Sequence, residues 1–359
     1  MRVGILGTGF GRAVHLPALQ SLPGVAVTAL WGRDRDRTQA IAQEAGIPHA
    51  FWGEDWAELY SAVDIVAVTT PPFLHFPQAQ GALTAGKPVL LEKPITLNTQ
   101  QARQLQELAI AQRCPVAVNF EFRLVPAWRS FAELLTSGML GQLRYVTVDW
   151  LVQGRADRQR PWNWYAQRDL GGGVLGAVGS HAFDYLHWLV GPATAVLGDL
   201  STVIPHRPDG SGQLQPVDSD DVANVWLKGP GDLTTSLRLS AATWRGRGHW
   251  LTVYGENGTL MVGSPNLNDY VRGFTVQQAR PGEELRMVPV PSAYDLPDGF
   301  ADGRIAPVRI LWQRFLAAIA AGAPMVPGLR EGLYSQHLMD AVHLSHHQRT
   351  WVDVTRWWG

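Results

Sequence analysis

The chain has 359 residues, 46% of them apolar and 17% charged, with a formal net charge of −1. Its length favours two cores over one. The composition excludes a disordered or fibrous protein, and without a basic excess no nucleic acid partner is expected.

The single cysteine, Cys114, cannot close an internal disulfide. That fits a reducing, cytoplasmic setting and an inert buried thiol. The opening Met1-Arg2-Val3-Gly4-Ile5-Leu6-Gly7 reads as a strand that begins at once, with no room for a secretory leader. Apolar runs such as 65–68 are too short to cross a bilayer, so no membrane partner is expected.

Through about residue 120, apolar runs at 3–6, 25–30, 65–68, 89–91 and 116–118 lack alternation, as strands buried on both faces of a parallel sheet do. Helical stretches separate them, among them 36–45 closed by Gly46 and 74–85 closed by Gly86. Strand and helix in alternation predict a doubly wound α/β Rossmann domain over 1–121.

The remainder, 122–359, reads as an α+β domain with a large, mainly antiparallel open sheet. Strands are expected at 143–151, 222–227, 233–240, 251–254 and 259–262. Turns such as Gly229-Pro230-Gly231 and Gly255-Glu256-Asn257-Gly258 divide them. Helices are expected at 126–137, 180–189, 308–321 and 331–347. The Pro-, Gly- and Asp-rich stretches 201–220 and 264–307 read as loops, and the late C-terminal segment is a candidate to pack back on the first domain.

Gly7-Thr8-Gly9-Phe10-Gly11 follows the first strand and opens a helix. In that context the glycines permit a tight turn and close approach of the backbone to a pyrophosphate, and the helix N-terminus offers free N–H groups. The third glycine of the fingerprint would fall at Arg12, so Gly11 and Ala13 must provide the close helix–strand packing.

The second strand ends Trp31-Gly32-Arg33-Asp34. An NAD site places an acid at this strand end for the ribose 2′-hydroxyl, and arginine suits a 2′-phosphate. Gly32 stands at the acidic position, followed by Arg33, Arg35 and Arg37. The reading is NADP in preference to NAD, with NAD possible should Asp34 turn inward. The alternative is that Arg33 to Arg37 is an ordinary solvated charge run.

Four stretches resemble the Gfo/Idh/MocA family, named for glucose–fructose oxidoreductase and inositol dehydrogenase. They are the glycine turn running on to His15; Thr70-Pro71-Pro72-Phe73-Leu74-His75; Glu92-Lys93-Pro94; and the glycine-rich Gly171-to-Asp184 segment containing His181. Order and spacing match over nearly the whole chain, including the late helix and Trp351-Val352-Asp353-Val354.

The resemblance implies hydride transfer between a nicotinamide and a sugar, polyol or related carbonyl compound. It implies a cofactor site that includes Thr70, Pro71, His75, Glu92, Lys93, Pro94 and Asn119, with a cis peptide bond before Pro94. Lys93 would lie near the nicotinamide and the reacting hydroxyl. Read on residues alone, a lysine ending a buried parallel strand already points to the ligand crevice. His181 would be a general acid or base. Assembly as a homodimer or homotetramer through the open sheet face is also implied.

Many family members carry an aspartate four residues before this histidine, where this chain has Ala177. Asp184, one helical turn after His181, and Tyr165 are the candidate replacements; Asp184 reads equally well as a structural residue of its helix. Arg123 either binds substrate or pairs with Glu121. Trp162, Trp164 and Tyr165, beside Asn163 and Arg168, suit the faces and hydroxyl edges of a sugar or form a packed loop.

His343, His346 and His347 lie at helical spacing near His337. No Cys or carboxylate cluster accompanies them, so packing is the reading and no metal is expected. Two alternatives to the dehydrogenase reading stand beside it. One is a glycosidase-like enzyme with a tightly bound cofactor. The other is a non-catalytic, NADP-sensing binding protein, which Ala177 keeps open.

Overall fold

The computed structural model describes residues 1–54, 56–266, 269 and 271–355. The chain forms two compact units: Met1–Glu121 with Asp298–Gln336, and Phe122–Pro297 with His337–Gly359.

The first unit is built on six parallel strands: β1 (Arg2–Leu6), β2 (Ala26–Trp31), β3 (His49–Phe51), β4 (Ile65–Val68), β5 (Val89–Leu91) and β6 (Val116–Val118). Their order is β3-β2-β1-β4-β5-β6. Every residue of β4 and β5 is buried, which explains why neither alternates. Helices α1 (Leu16–Gln20), α2 (Arg35–Glu44), α3 (Ala57–Ala62), α4 (His75–Thr84) and α5 (Thr99–Ala111) make the crossovers. Asp34 caps α2 by accepting the Arg37 N–H, and Asn98 caps α5 by accepting the Gln101 N–H. Because the strand order reverses between β1 and β4, ligands of this sheet belong at the strands' carboxyl ends. Gly7, Thr69, Glu92 and Asn119 stand directly after β1, β4, β5 and β6.

The second unit opens with α6 (Pro126–Thr136), β7 (Leu143–Leu151) and α7 (Ser180–Val190). A nine-stranded sheet then assembles from β7 with β8 (Ala195–Ser201), β11 (Val222–Lys228), β12 (Thr234–Ser240), β13 (Gly248–Gly255), β14 (Gly258–Ser264), β15 (Thr275–Ala279), β16 (Arg286–Val288) and β17 (Val352–Asp353). A separate two-stranded hairpin pairs β9 (His206–Pro208) with β10 (Leu214–Pro216). One face of the large sheet is apolar and buried: Val146, Val148 and Trp150 of β7, Leu237 and Leu239 of β12, Leu251 and Val253 of β13. Each such side chain contributes about 1.5–3 kcal/mol relative to exposure.

Helices α8 (Ile305–Ala321) and α9 (Leu329–Gln348) close the chain. All of α8 and the first turns of α9 belong to the first unit.

Two expectations need correction. The first sheet has a sixth strand, β3, whose polar, three-residue edge gave no apolar run. The stretches read as loops contain paired strands, β9–β10 and β15–β16, while residues 267, 268 and 270 lie outside the described residues. The large sheet is mainly antiparallel, as expected: among the described strands only β12 and β7 pair in parallel, and every other neighbouring pair is antiparallel.

Candidate active site

The glycine turn is fixed from two sides. Gly7 N–H donates to Trp31 O at 2.9 Å, and Gly7 adopts φ +121°, a left-handed value that favours glycine. A β-carbon on Gly7 would lie 2.7 Å from Thr69 O, and one on Gly11 would meet Thr69 Oγ1 and Ile5 Cγ2. Gly11 therefore supplies the close helix–strand contact, ahead of Arg12, whose guanidinium pairs with Glu44 at 2.7 Å.

Gly9 has nothing within 4 Å of where its β-carbon would be. Its exposed backbone leaves the space that a dinucleotide's pyrophosphate requires. Thr8 and Phe10 flank it half-buried.

At the end of β2, a β-carbon on Gly32 would meet Thr38 Oγ1, and Thr8 Cγ2 at 2.7 Å. No carboxylate side chain fits there without rearrangement. Asp34 does not turn inward, since its carboxylate accepts the Arg37 N–H at 2.9 Å. Arg33 and Arg37 are exposed, and Arg35 lies over the Trp52 ring at 4.7 Å.

The β4 and β5 ends are tied together. Thr69 Oγ1 donates to Leu6 O, and Thr70 Oγ1 donates to Gln78 Oε1. The buried His75 ring lies 2.7 Å from two carbonyls, Nδ1 from Pro94 O and Nε2 from Thr70 O. Both neighbours are acceptors and favour an imidazolium, yet burial is the larger effect and holds its pKa below the ordinary value. Pro71 precedes a short 3₁₀ turn leading into α4, and the Lys93–Pro94 peptide bond is cis.

Glu92 is buried and densely bonded. Its Oε1 is 2.8 Å from His15 Nε2 and accepts from Asn119 Nδ2 at 2.6 Å. Burial works against its charge, but His15, through its hydrogen bond and its electrostatic effect, then the Lys93 charge and Asn119, outweigh it and hold the carboxyl below its usual range. Asn119 Oδ1 is buried and accepts no hydrogen bond from a described residue, which leaves an acceptor for a bound group. Burial lowers the pKa of Lys93; Glu92 and Glu121 oppose that, and Arg304 adds to it. Together, the open backbone at Gly9 and the waiting acceptor at Asn119 fit a dinucleotide.

In the second unit, Gly173 adopts φ +105°, and a β-carbon there would meet Asp220. Asp220 accepts the Leu175 N–H at 2.7 Å, fixing the glycine run that leads to α7, and burial pushes its pKa up to about 6. His181, on the first turn of α7, is buried edge-on against Phe122 (ring centroids 5.0 Å apart), with Trp150 at 6.1 Å.

Asp184 accepts two hydrogen bonds from Arg123, at 2.9 and 2.6 Å. Asp184 is therefore committed to an ion pair. Neither reading of Arg123, substrate binding or pairing with Glu121, named this partner, which lies 61 residues away in sequence.

Tyr165 is held in its protonated state. Arg155 lies over its ring at 3.8 Å, and burial holds the phenol well above its ordinary pKa. Trp162 Nε1 donates to Pro216 O at 2.8 Å, and Trp164 packs edge-on to Tyr165. These rings make a loop bound to the β9–β10 hairpin.

Sequence reading missed Trp312 and Arg304. Trp312 Nε1 donates to His15 Nδ1 at 3.1 Å, and Arg304 lies over the Phe10 ring at 5.2 Å. Only His15, as the tail of the glycine-turn pattern, carried any signal.

A parallel sheet ordered β3-β2-β1-β4-β5-β6, with an open glycine turn at its switch point and a lysine two residues past β5, defines a dinucleotide-binding oxidoreductase. The chain belongs to the Gfo/Idh/MocA oxidoreductase family. Residues 1–120 match the oxidoreductase family with NAD-binding Rossmann fold, and residues 128–261 match the GFO/IDH/MocA C-terminal domain. An uncharacterized oxidoreductase of Synechocystis sp. is 44% identical over 358 residues, covering 99% of this chain and 96% of that protein. Levoglucosan dehydrogenase of Pseudarthrobacter phenanthrenivorans is 26% identical over 392 residues, covering 99% and 98%. A structure of levoglucosan dehydrogenase with NADH and levoglucosan shares the fold at TM-score 0.88 and 24% identity, covering 99% of each chain. Among the described residues, no helix is long and apolar enough to cross a membrane.

Proposed function

We propose that this chain is a cytoplasmic, NADP-preferring dehydrogenase or reductase of a sugar, polyol or related carbonyl compound. The observation that carries the chemistry is the β5 end. Glu92 is anchored there by His15 and Asn119, beside a Lys93 whose burial favours the neutral amine. The levoglucosan dehydrogenase similarity supports a sugar-like substrate, and a lone cysteine suits a reducing compartment.

Gly7, Thr8, Gly9, Phe10 and Gly11 would hold the dinucleotide's pyrophosphate. Thr70, Pro71, His75, Pro94 and Asn119 would frame its nicotinamide end. When bound, the nicotinamide takes or gives the hydride. Lys93 Nζ hydrogen-bonds the substrate oxygen, takes the hydroxyl proton during oxidation and returns it during reduction. His181, buried among aromatic rings, is the second residue assigned to proton transfer. With Ala177 beside it and Asp184 engaged by Arg123, it works without the aspartate many relatives have.

The cofactor preference rests on Gly32, where an acidic side chain has no room, and on the exposed Arg33. Assembly as a homodimer or homotetramer uses the solvent face of the large sheet, where Tyr145, Trp226 and Tyr254 are 37–40% exposed.

The deciding experiment is a paired fluorescence titration with NADPH and NADH, followed by a sugar and polyol screen. Tight NADPH with weak NADH binding is expected. Preference for NADH overturns the cofactor assignment, and turnover unaffected by Lys93→Ala overturns the role of Lys93.

A further inference from the structure

His15 is fully buried, and each ring nitrogen has one partner. Trp312 Nε1 lies 3.1 Å from Nδ1, and Glu92 Oε1 lies 2.8 Å from Nε2. An indole N–H can only donate. Nδ1 must therefore present its lone pair, and the proton resides on Nε2, aimed at the carboxylate. The ring is further confined edge-on by Phe10 at 5.5 Å and by Trp312 at 6.1 Å. Trp312 itself is fully buried on α8, 297 residues from His15 in sequence but within the same unit.

We propose that Trp312 is a positioning residue for Lys93. By fixing the His15 proton on Nε2, it orients the Glu92 carboxylate, which stands next to Lys93 in the chain. This rests on the assignment of Lys93 under the proposed function, but it makes a claim about Lys93 titration that stands apart from turnover.

The charged groups facing Lys93 within this unit are Glu92 and Glu121, which favour the ammonium, and Arg304, which opposes it; His75 is coupled to both Glu92 and Lys93. Glu92 faces His15, Lys93 and Asn119. Trp312→Phe keeps a ring but removes the donor. His15 then has two routes. It can move its proton to Nδ1 and turn a lone pair on Glu92, which favours protonation of the carboxyl. It can also become an imidazolium, whose charge cancels that of Glu92. Both routes weaken the negative charge at Lys93, so both lower its pKa.

The test is direct titration of Lys93 in the cofactor-free full chain, by the pH dependence of its labelling with acetic anhydride read by mass spectrometry. Trp312→Phe is expected to lower the Lys93 midpoint by about 1 pH unit, raising labelling at a fixed pH below the midpoint about tenfold. Glu92→Gln should do the same, and the double variant should shift no further than Glu92→Gln alone, because both act through one carboxylate. His15→Gln, which keeps a neutral N–H donor, should hold the wild-type midpoint, while His15→Leu should lower it. The His15 pair carries the test should Trp312→Phe fail to fold. An unmoved midpoint in Trp312→Phe, an additive double variant, or His15→Gln behaving like His15→Leu overturns the proposal. Loss of the proposed dehydrogenase activity would leave all of these readouts in place.

Discussion

The Arg123 guanidinium grips both carboxylate oxygens of Asp184, at 2.6 and 2.9 Å, with the two side chains 10% and 2% exposed. Removing one partner strands a buried charge. Asp184→Ala is therefore expected to cost about 3–5 kcal/mol of unfolding free energy, read by urea denaturation. The double variant Arg123→Met, Asp184→Leu should recover much of that, since neither charge then remains. If Asp184→Asn abolished turnover with stability intact, Asp184 would be serving as the acid that Ala177 lacks, contrary to this pairing.

At Gly32, the neighbours Thr8 and Thr38 leave no room for a side chain. Gly32→Asp is expected to lose about 1–3 kcal/mol by overpacking, seen as a lowered thermal midpoint, before it confers any preference for NADH. Arg33→Ala, on an exposed site, should leave stability unchanged and weaken NADPH binding about tenfold or more, the worth of one charge-assisted hydrogen bond. Equal weakening of NADPH and NADH would refute a role specific to the 2′-phosphate.

Lys93→Ala should reduce kcat/KM by about 10²- to 10⁴-fold while the thermal midpoint moves little. A parallel NADPH titration separates chemistry from binding. Retained affinity with lost turnover assigns Lys93 to the proton, whereas lost affinity with turnover preserved at saturation assigns it to the cofactor alone.

Much of the fold was legible because burial writes itself locally. The runs at 65–68, 89–91 and 116–118, buried throughout, match β4, β5 and β6 residue for residue, and 143–151 matches β7. Where a strand is short and polar, as in β3, β9 and β10, pairing alone makes it a strand, and no periodicity announces it. The glycine turn and Lys93 were legible as motifs because backbone geometry restricts residue choice there. The supporting partners were not. Trp312 meets His15 across 297 residues, and Arg123 meets Asp184 across 61, so only the folded chain reveals them.

His249 lies flat under Trp150, with ring centroids 3.8 Å apart and planes at 11°, and its Nε2 is 3.1 Å from Tyr185 Oη. Burial holds its pKa well below the ordinary 6.5, so the folded chain keeps it neutral. The unfolded chain takes up a proton as pH falls through about 6.5, and the folded chain does not. Stability present above that pH is therefore lost below it, by about 1.4 kcal/mol per pH unit for this one group. Other groups titrate in the same range: His343 is lowered to about 4, and Asp220, pushed up to about 6, works in the opposite direction. A difference measurement removes them. The unfolding free energy of wild type minus that of His249→Phe, from urea melts at pH 7.5, 6.5 and 5.5, should be nearly constant between the first two. It should fall by about 1 kcal/mol between the last two. A difference that stays flat to pH 5.5 would mean that His249 is protonated in the fold, and that its ring binds a partner other than the aromatic cage around it.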